Sequence, residues 1–179
     1  TLDHGAEGYL SQDGFPILQQ QFLAALRLMS SGLKNSFVAQ SEAEKRDALM
    51  LSFQGVWSVA PALGRVRMGA SHGLGYILGG MFGVAHGETS CVLLPAVLKW
   101  NSQDNPQAQQ AISEALGDPH RPAHELIGEL INGLGLPSQL SDVGISPDKF
   151  DTIAQAGINH PLILANSRAI TCQQDILDI

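Results

Sequence analysis

The feature that most restricts the fold is a series of helix-start signals with almost no strand signals between them. Pro16, Pro106 and Pro122 each precede a segment whose apolar residues recur at helical spacing. Ser41 and Glu44 form a capping-box pattern before a fourth such segment. Neither an Asn-Gly nor an Asp-Gly pair lies between alternating apolar runs, and the βαβ spacing of a parallel sheet is absent. The pattern predicts an all-α protein of six to eight helices, with residues 1–179 forming one domain.

Some finer predictions follow from the same pattern. Thr171 is expected to cap a short last helix that ends at Ile179. Trp57 and Trp100 lie on apolar helix faces, which predicts that both belong to the core. Cys91 lies in an apolar run, where a thiol is expected to be unreactive.

Composition excludes several kinds of partner. The net charge is −7, without the clustered Lys and Arg that a nucleic acid partner requires. No apolar run approaches the roughly 18 residues of a membrane span. The two cysteines do not make a disulfide framework, and no secretion signal is visible, so we expect a cytoplasmic protein. Charged residues make up only 15% of the chain, which suggests surface covered by a partner domain or by a second subunit, as in a homodimer.

Residues 69–87 form the most unusual segment, because they are rich in glycine, almost uncharged and contain His72 and His86. Glycine inside a helix costs about 0.5–1 kcal/mol relative to alanine. A high density of glycine therefore indicates close helix packing, or close approach of the backbone to a ligand.

Two glycine motifs offer one interpretation each. Gly73, Gly75 and Gly79 approximate the dinucleotide-binding fingerprint, although the spacing differs by one residue and no strand precedes it. Residues 69–73 match the G-x-S-x-G pattern, which would make Ser71 a nucleophile. A nucleophilic serine in this pattern requires a strand before it and a helix after it. The candidate bases for this serine are His120, His124 and His160.

The third interpretation is a metal site. Neutral imidazoles bind first-row divalent metals, and a catalytic site usually combines three protein ligands with one open position. His72 and His86 are expected at the end of one helix and beyond the following loop, with His4 supplied by the first helix. Buried, hydrogen-bonded core histidines would give the same spacing. Glu7, one turn after His4, would either support a metal-binding histidine or belong to a solvated face.

The order of several motifs resembles the iron-containing (group III) alcohol dehydrogenases, and most of all their maleylacetate-reductase-like branch. The motifs that carry the resemblance are HGAEGYL (4–10), HGETSCVLLP (86–95), LKWN (98–101), GLP (135–137), DVG (142–144) and NSRAIT (166–171). They extend over essentially the whole chain. The resemblance implies the helical C-terminal domain of these enzymes, a fold shared with dehydroquinate synthase-like proteins, without the N-terminal dinucleotide-binding domain.

The resemblance also implies a ligand set. Carried over by position, the family's three histidine ligands fall on His4, His72 and His86, which would hold a divalent metal, Fe²⁺ or Zn²⁺. The family's acidic ligand would lie one residue before Thr1. Asp3 is a poor substitute for it, because neighbouring residues on a helix point about 100° apart.

Three positions depart from the family pattern. Tyr76 stands where the family has a further histidine, one turn after His72, and would orient a substrate oxygen or relay a proton as a catalytic residue. Ala85 replaces a proline, and Ala96 replaces a histidine.

The implied activity is that of an oxidoreductase acting on a small alcohol or carbonyl compound. The metal would polarise the substrate oxygen, and hydride would be exchanged with NAD(P) if a nucleotide-binding domain were supplied. The sequence assigns no cofactor-binding residue in this chain. The alternative is a non-redox protein on the same scaffold, which uses the cleft for binding, for oligomerisation or for a different reaction. Tyr76 and the missing cofactor domain favour that alternative.

Overall fold

The computed structural model describes all residues, 1–179, and its regular structure is helical throughout. Its ten α-helices are α1 (Leu2–Leu10), α2 (Pro16–Val38), α3 (Glu42–Val59), α4 (Ala70–Phe82), α5 (His86–Asn101), α6 (Pro106–Leu116), α7 (Ala123–Gly133), α8 (Phe150–Gly157), α9 (Pro161–Leu164) and α10 (Gln173–Leu177). Three short 3₁₀ helices lie at Ala60–Ala62, Leu140–Val143 and Pro147–Lys149. None of the helices combines the length and apolar character needed to cross a bilayer.

The all-α prediction is confirmed, but the predicted number of helices was too low. Eight helices have eight or more residues, and α9 and α10 have four and five. The short last helix, α10, was expected, but the four residues of α9 are too few to show a repeating apolar pattern. The predicted cap of the last helix is also wrong by one residue. Cys172 is the N-cap of α10, while Thr171 donates its backbone N–H and its hydroxyl to Asp175.

The predicted helix starts are otherwise where the sequence signals lie. Pro16 and Pro106 occupy the first helical position of α2 and α6, where the missing N–H of proline has no intrahelical role. The Ser41 hydroxyl accepts a hydrogen bond from the backbone N–H of Glu44 at the start of α3 (3.2 Å).

The core consists of three apolar clusters, and α5 contributes to two of them. The first lies among α4, α5 and α8 around Leu78 and Val97. The second joins α5 to α1, α2, α6 and α7 around Leu98 and Ile127. The third lies where α2 meets the end of α3 and the segment that follows it, around Phe22. Helix α5 therefore connects the two larger clusters, and its first residue is His86.

Helices α2 and α3 form a closely packed antiparallel pair at one side of the molecule. A Cβ added at Gly32 of α2 would lie 2.6 Å from the carbonyl oxygen of Ala48 in α3, so the two backbones nearly touch there. The prediction that Trp57 belongs to the core is wrong, because this side chain is 80% exposed on the outer face of α3. Trp100 is half-buried beneath the Arg168 guanidinium, whose central carbon lies 3.5 Å from the ring centroid.

Candidate metal centre

Three helices bring three histidines together. His4 lies in α1, His72 in the first turn of α4, and His86 is the first residue of α5. Their ring centroids form a triangle with sides of 4.3 Å (His4–His72), 6.0 Å (His72–His86) and 6.4 Å (His4–His86). His72 lies at the N-terminal end of α4, which begins at Ala70, and His86 follows the loop after that helix. Two helix starts therefore face the helix that carries His4.

Glu7 fixes the position of His72. This carboxylate is 3% exposed, and its Oε2 lies 2.7 Å from His72 Nδ1. It also accepts hydrogen bonds from the backbone N–H groups of Gly69 (2.9 Å) and Ser71 (2.7 Å). A carboxylate at this place satisfies N–H groups at the start of α4 and interacts favourably with the positive end of the helix dipole. Of the two interpretations of Glu7, the solvated face is excluded.

The same contact selects the tautomer of His72. When His72 is neutral, its proton lies on Nδ1 towards Glu7 and its lone pair lies on Nε2, which is the form that a metal-binding histidine requires. Nε2 lies 3.2 Å from Nε2 of His4. Two nitrogens bound to one tetrahedral metal at about 2.0–2.1 Å would lie about 3.3–3.4 Å apart. The facing nitrogens of His4 and His72 thus have the separation of two ligands of one ion.

The electrostatic surroundings of the two imidazoles differ. Burial and the neighbouring His72 ring lower the pKa of His4 to about 4, so that His4 is neutral near pH 7. Burial also disfavours the charged form of His72. The hydrogen bond to Glu7 and the charges of Asp3 and Glu7 outweigh this effect and raise the pKa of His72.

Asp3 lies on the Nδ1 side of His72, away from the facing Nε2 atoms. Its Oδ1 is 3.6 Å from His72 Nδ1 and has no hydrogen-bond partner, while its Oδ2 accepts a hydrogen bond from the Ser71 hydroxyl (2.8 Å). Burial and the charge of Glu7 raise the pKa of Asp3. Asp3, Glu7 and His72 place ligand-type atoms within 4.8 Å of one another. The oxygens of Glu7 already accept N–H groups, so these carboxylates support His72 rather than replace its Nε2 as a ligand.

The nucleophile pattern around Ser71 is not realised. Ser71 is buried, and its hydroxyl donates to a carboxylate instead of to a histidine. No strand precedes α4, so the strained strand-to-helix turn of that motif is missing. His120, one of its possible bases, is exposed beyond α6, and His160 accepts a hydrogen bond from the backbone N–H of Leu162 at the start of α9.

The glycines of the segment pack helices and do not bind a dinucleotide. Gly73, Gly75 and Gly79 lie inside α4, not in a turn between a strand and a helix. A Cβ added at Gly73 would lie 2.6 Å from the side chain of Ile163, which comes from α9. The expectation of close helix packing is confirmed at this position.

Tyr76 lies at the solvent side of the histidine cluster. It is 57% exposed, and its ring is nearly parallel to that of His86, with centroids 6.3 Å apart. His160 lies on its other side, with ring centroids 6.2 Å apart. The phenol therefore stands at the edge of the site, between two imidazoles.

Like Glu7, Asn166 fixes the start of α4 by hydrogen bonds, and the helical pattern of the sequence did not indicate this. Its side-chain oxygen accepts a hydrogen bond from the backbone N–H of Ala70 (3.1 Å), and its amide nitrogen donates to Asn101 (2.7 Å). Both asparagines are buried. They belong to the LKWN and NSRAIT motifs, so the order of motifs was the available signal. Cys91 is half-buried on α5, where burial raises the pKa of its thiol.

The fold and the cluster together define a class: a helical unit in which three helices contribute imidazoles and buried carboxylates support one of them, His72. Comparison with known proteins then identifies the family. Residues 1–179 match the profile described as "Fe-containing alcohol dehydrogenase family, C-terminal", and the chain belongs to that family. The resemblance predicted from the motifs is confirmed.

Several relatives are named as reductases. The chain is 24% identical to lactaldehyde reductase of Escherichia coli over 100% of its own length and 48% of that protein. It is 31% identical to a maleylacetate reductase of Sphingobium indicum over 96% of its own length and 47% of that protein. The chain thus spans about half the length of the curated relatives that it matches.

Solved structures share the fold. A putative alcohol dehydrogenase from Ralstonia eutropha superposes with a TM-score of 0.88 at 28% identity, covering 98% of this chain and 48% of that one. Maleylacetate reductase from a Rhizobium strain superposes with a TM-score of 0.85 at 25% identity, covering 98% and 47%.

Proposed function

We propose that this chain is the metal- and substrate-binding half of a nicotinamide-dependent alcohol dehydrogenase or reductase. In this proposal residues 1–179 form one helical domain, and His4, His72 and His86 hold a divalent metal, Fe²⁺ or Zn²⁺. The family membership and the reductase names of several relatives support the reaction class.

One observation carries the metal assignment. His72 is held by a buried carboxylate on Nδ1, and its free Nε2 faces Nε2 of His4 at 3.2 Å. If both nitrogens carried lone pairs and nothing lay between them, they would repel each other. A proton shared between the two rings, which the raised pKa of His72 favours, or a cation bound by both atoms would remove that repulsion. The charge of Glu7 makes the His72 nitrogen a better ligand for such a cation.

Buried carboxylates of this chain would orient the His72 ring towards that ion. Glu7 holds the His72 ring, and Asp3 adds a second buried carboxylate behind it. A bound metal would supply Lewis-acid polarisation of the alcohol or carbonyl oxygen. The hydroxyl of Tyr76 is proposed to donate a hydrogen bond to that oxygen, because Tyr76 is the exposed polar group beside His86.

The remaining parts of the reaction lie outside the residues described. NAD(P) would bind to a nucleotide-binding domain, and this chain spans only about half of its relatives. The substrate is proposed to be a small alcohol or carbonyl compound, in line with the names of the relatives. A homodimer is a further proposal for the assembled enzyme.

Metal content tests the proposal directly. We expect about one iron or zinc per chain by plasma mass spectrometry after incubation with Fe²⁺ or Zn²⁺ and desalting. His72→Ala and His86→Ala should each lose most of it. His120→Ala is the matched control, since His120 is exposed and distant from the cluster, and it should retain the metal.

Two results would contradict the assignment. Unchanged metal content in both His72→Ala and His86→Ala would place the ion elsewhere. Failure of the wild-type chain to retain any metal, with circular dichroism showing an intact helical fold, would show that the three histidines alone do not hold the ion. If adding back the residues upstream of Thr1 does not restore binding, the non-redox alternative on the same scaffold is favoured.

A further inference from the structure

A cavity separate from the histidines lies among α4, α5, α8 and α10. It has a volume of about 180 Å³ and is partly open to solvent, and all eleven residues that line it are hydrophobic. Leu74 and Leu78 of α4 and Ile153 of α8 form its floor, and each of these side chains is less than 10% exposed. Leu177, which is 38% exposed, lies at its rim.

The cavity and the histidine cluster use different faces of α4. Leu74 and His72 are two positions apart on the helix, which separates their directions by about 200°. Leu78 follows Leu74 one turn later on the cavity face, as Tyr76 follows His72 on the other. An occupant of the cavity therefore does not compete with ligands of the candidate metal centre.

The side chains of the wall favour apolar occupants over polar ones. A buried water molecule needs two to four polar partners, and no lining side chain offers one. An engineered cavity of about 150 Å³ lined by Leu, Ile and Phe stays dry and binds benzene or xenon. The present cavity is of similar size and has the same kind of lining.

The volume also sets an upper limit on the occupant. An α-helix with its side chains has a diameter of about 10–12 Å, so a helical segment of a partner protein would not fit into 180 Å³. A single aromatic ring or a short alkyl chain matches the space. Ala96 of α5 has the smallest side chain in the lining, and a larger one there would fill part of the cavity.

We infer that this cavity is a binding site for a small uncharged apolar molecule, either a single aromatic ring or a short alkyl chain. The site is formed between α4 and α5, the two helices that also carry His72 and His86. The inference does not depend on the proposed metal chemistry.

Methyl NMR of the 179-residue chain, titrated with benzene, tests the inference. Saturable shifts are expected for the methyl groups of Leu74, Val92 and Ile153, and not for those of Leu26 in another cluster. Benzoate has the same ring with a charge and should cause no such shifts, because its carboxylate would lose its hydration in the cavity. Ala96→Leu should weaken benzene binding at least tenfold. Ala156→Leu, an exposed position on α8, is the matched control and should bind like the wild type.

Each result decides the question. Benzene shifts that do not saturate, or that are equally strong in Ala96→Leu, would overturn the inference. If Ala96→Leu does not fold, crystals of the unmodified chain under xenon pressure replace it. Xenon density between Leu78 and Ile153 would support the site, and an empty cavity at full pressure would overturn it.

Discussion

The start of α4 and the α2–α3 pair are stabilised in opposite ways. At the start of α4, short glycine-rich backbone is held by buried polar side chains, with Glu7 on one side and Asn166 on the other. The α2–α3 pair consists of two long helices in backbone contact, and its outer face exposes large apolar side chains such as Phe53 and Trp57.

This difference shows where apolar residues are informative. In the α2–α3 pair the apolar pattern locates the helices but does not tell which apolar side chains are buried. At the start of α4 the polar residues determine the structure, because each buried N–H or carboxylate must find a partner. The candidate site residue His72 lies at the start of α4, and its polar partners mark it better than hydrophobicity does.

The largest effect is expected from removing the polar clamp. Glu7→Ala should lower the free energy of unfolding by about 3–5 kcal/mol, because it leaves His72 and the first N–H groups of α4 buried without their acceptor. Urea denaturation followed by circular dichroism measures this. Glu44→Ala removes an exposed capping carboxylate from α3 and should cost only about 0.3–1.5 kcal/mol. Equal losses in the two variants would remove the distinction between the regions.

A smaller effect is expected where α2 and α3 touch. Gly32→Ala should destabilise the chain by about 1–3 kcal/mol, because the new methyl group would press against the backbone of α3. Gly128 in α7 is the control, since nothing lies within 4 Å of an added Cβ. Gly128→Ala should stabilise the chain by about 0.4–1 kcal/mol. Thermal unfolding of both variants shows whether each one is less or more stable than the wild type. A gain in stability for Gly32→Ala would contradict the close contact.

The smallest effect is expected on the outer face of α3. Trp57→Ala should change the free energy of unfolding by no more than about 0.5 kcal/mol, because the side chain is 80% exposed. Phe22→Ala, on the inner side of the pair, should cost about 3–5 kcal/mol. Urea denaturation at low and high protein concentration should give the same result for Trp57→Ala. A loss of several kcal/mol in that variant would show that the face is covered in solution.

The sequence predicted the helices well because helix starts are local signals. Pro16, Ser41 and Pro106 act within one turn, so no knowledge of the remaining fold is needed. The exposure of Trp57 could not be predicted in this way. Helix α3 packs on α2 alone for most of its length, and the apolar residues on the face of α3 that points away from α2 meet no other helix.

The candidate site was only partly predictable. His4, His72 and His86 followed from the resemblance, and their assembly into one cluster is seen in the structure. The role of Glu7 stayed open, because its partner His72 lies 65 residues away and no periodic pattern joins them. The clamp by Asn166 spans 96 residues and has no local signal.

Those sequence separations bear on the order in which the molecule is made. The first turn of α4 is completed by Glu7, which is synthesised long before it, and by Asn166, which is synthesised long after it. Contacts this distant in sequence form slowly, because the intervening chain must first give up its freedom. On the ribosome, His72 is therefore translated well before Asn166 but acquires its full surroundings only when residue 166 has emerged. The first turn of α4 is therefore completed only after all the residues between Glu7 and Asn166 have been synthesised.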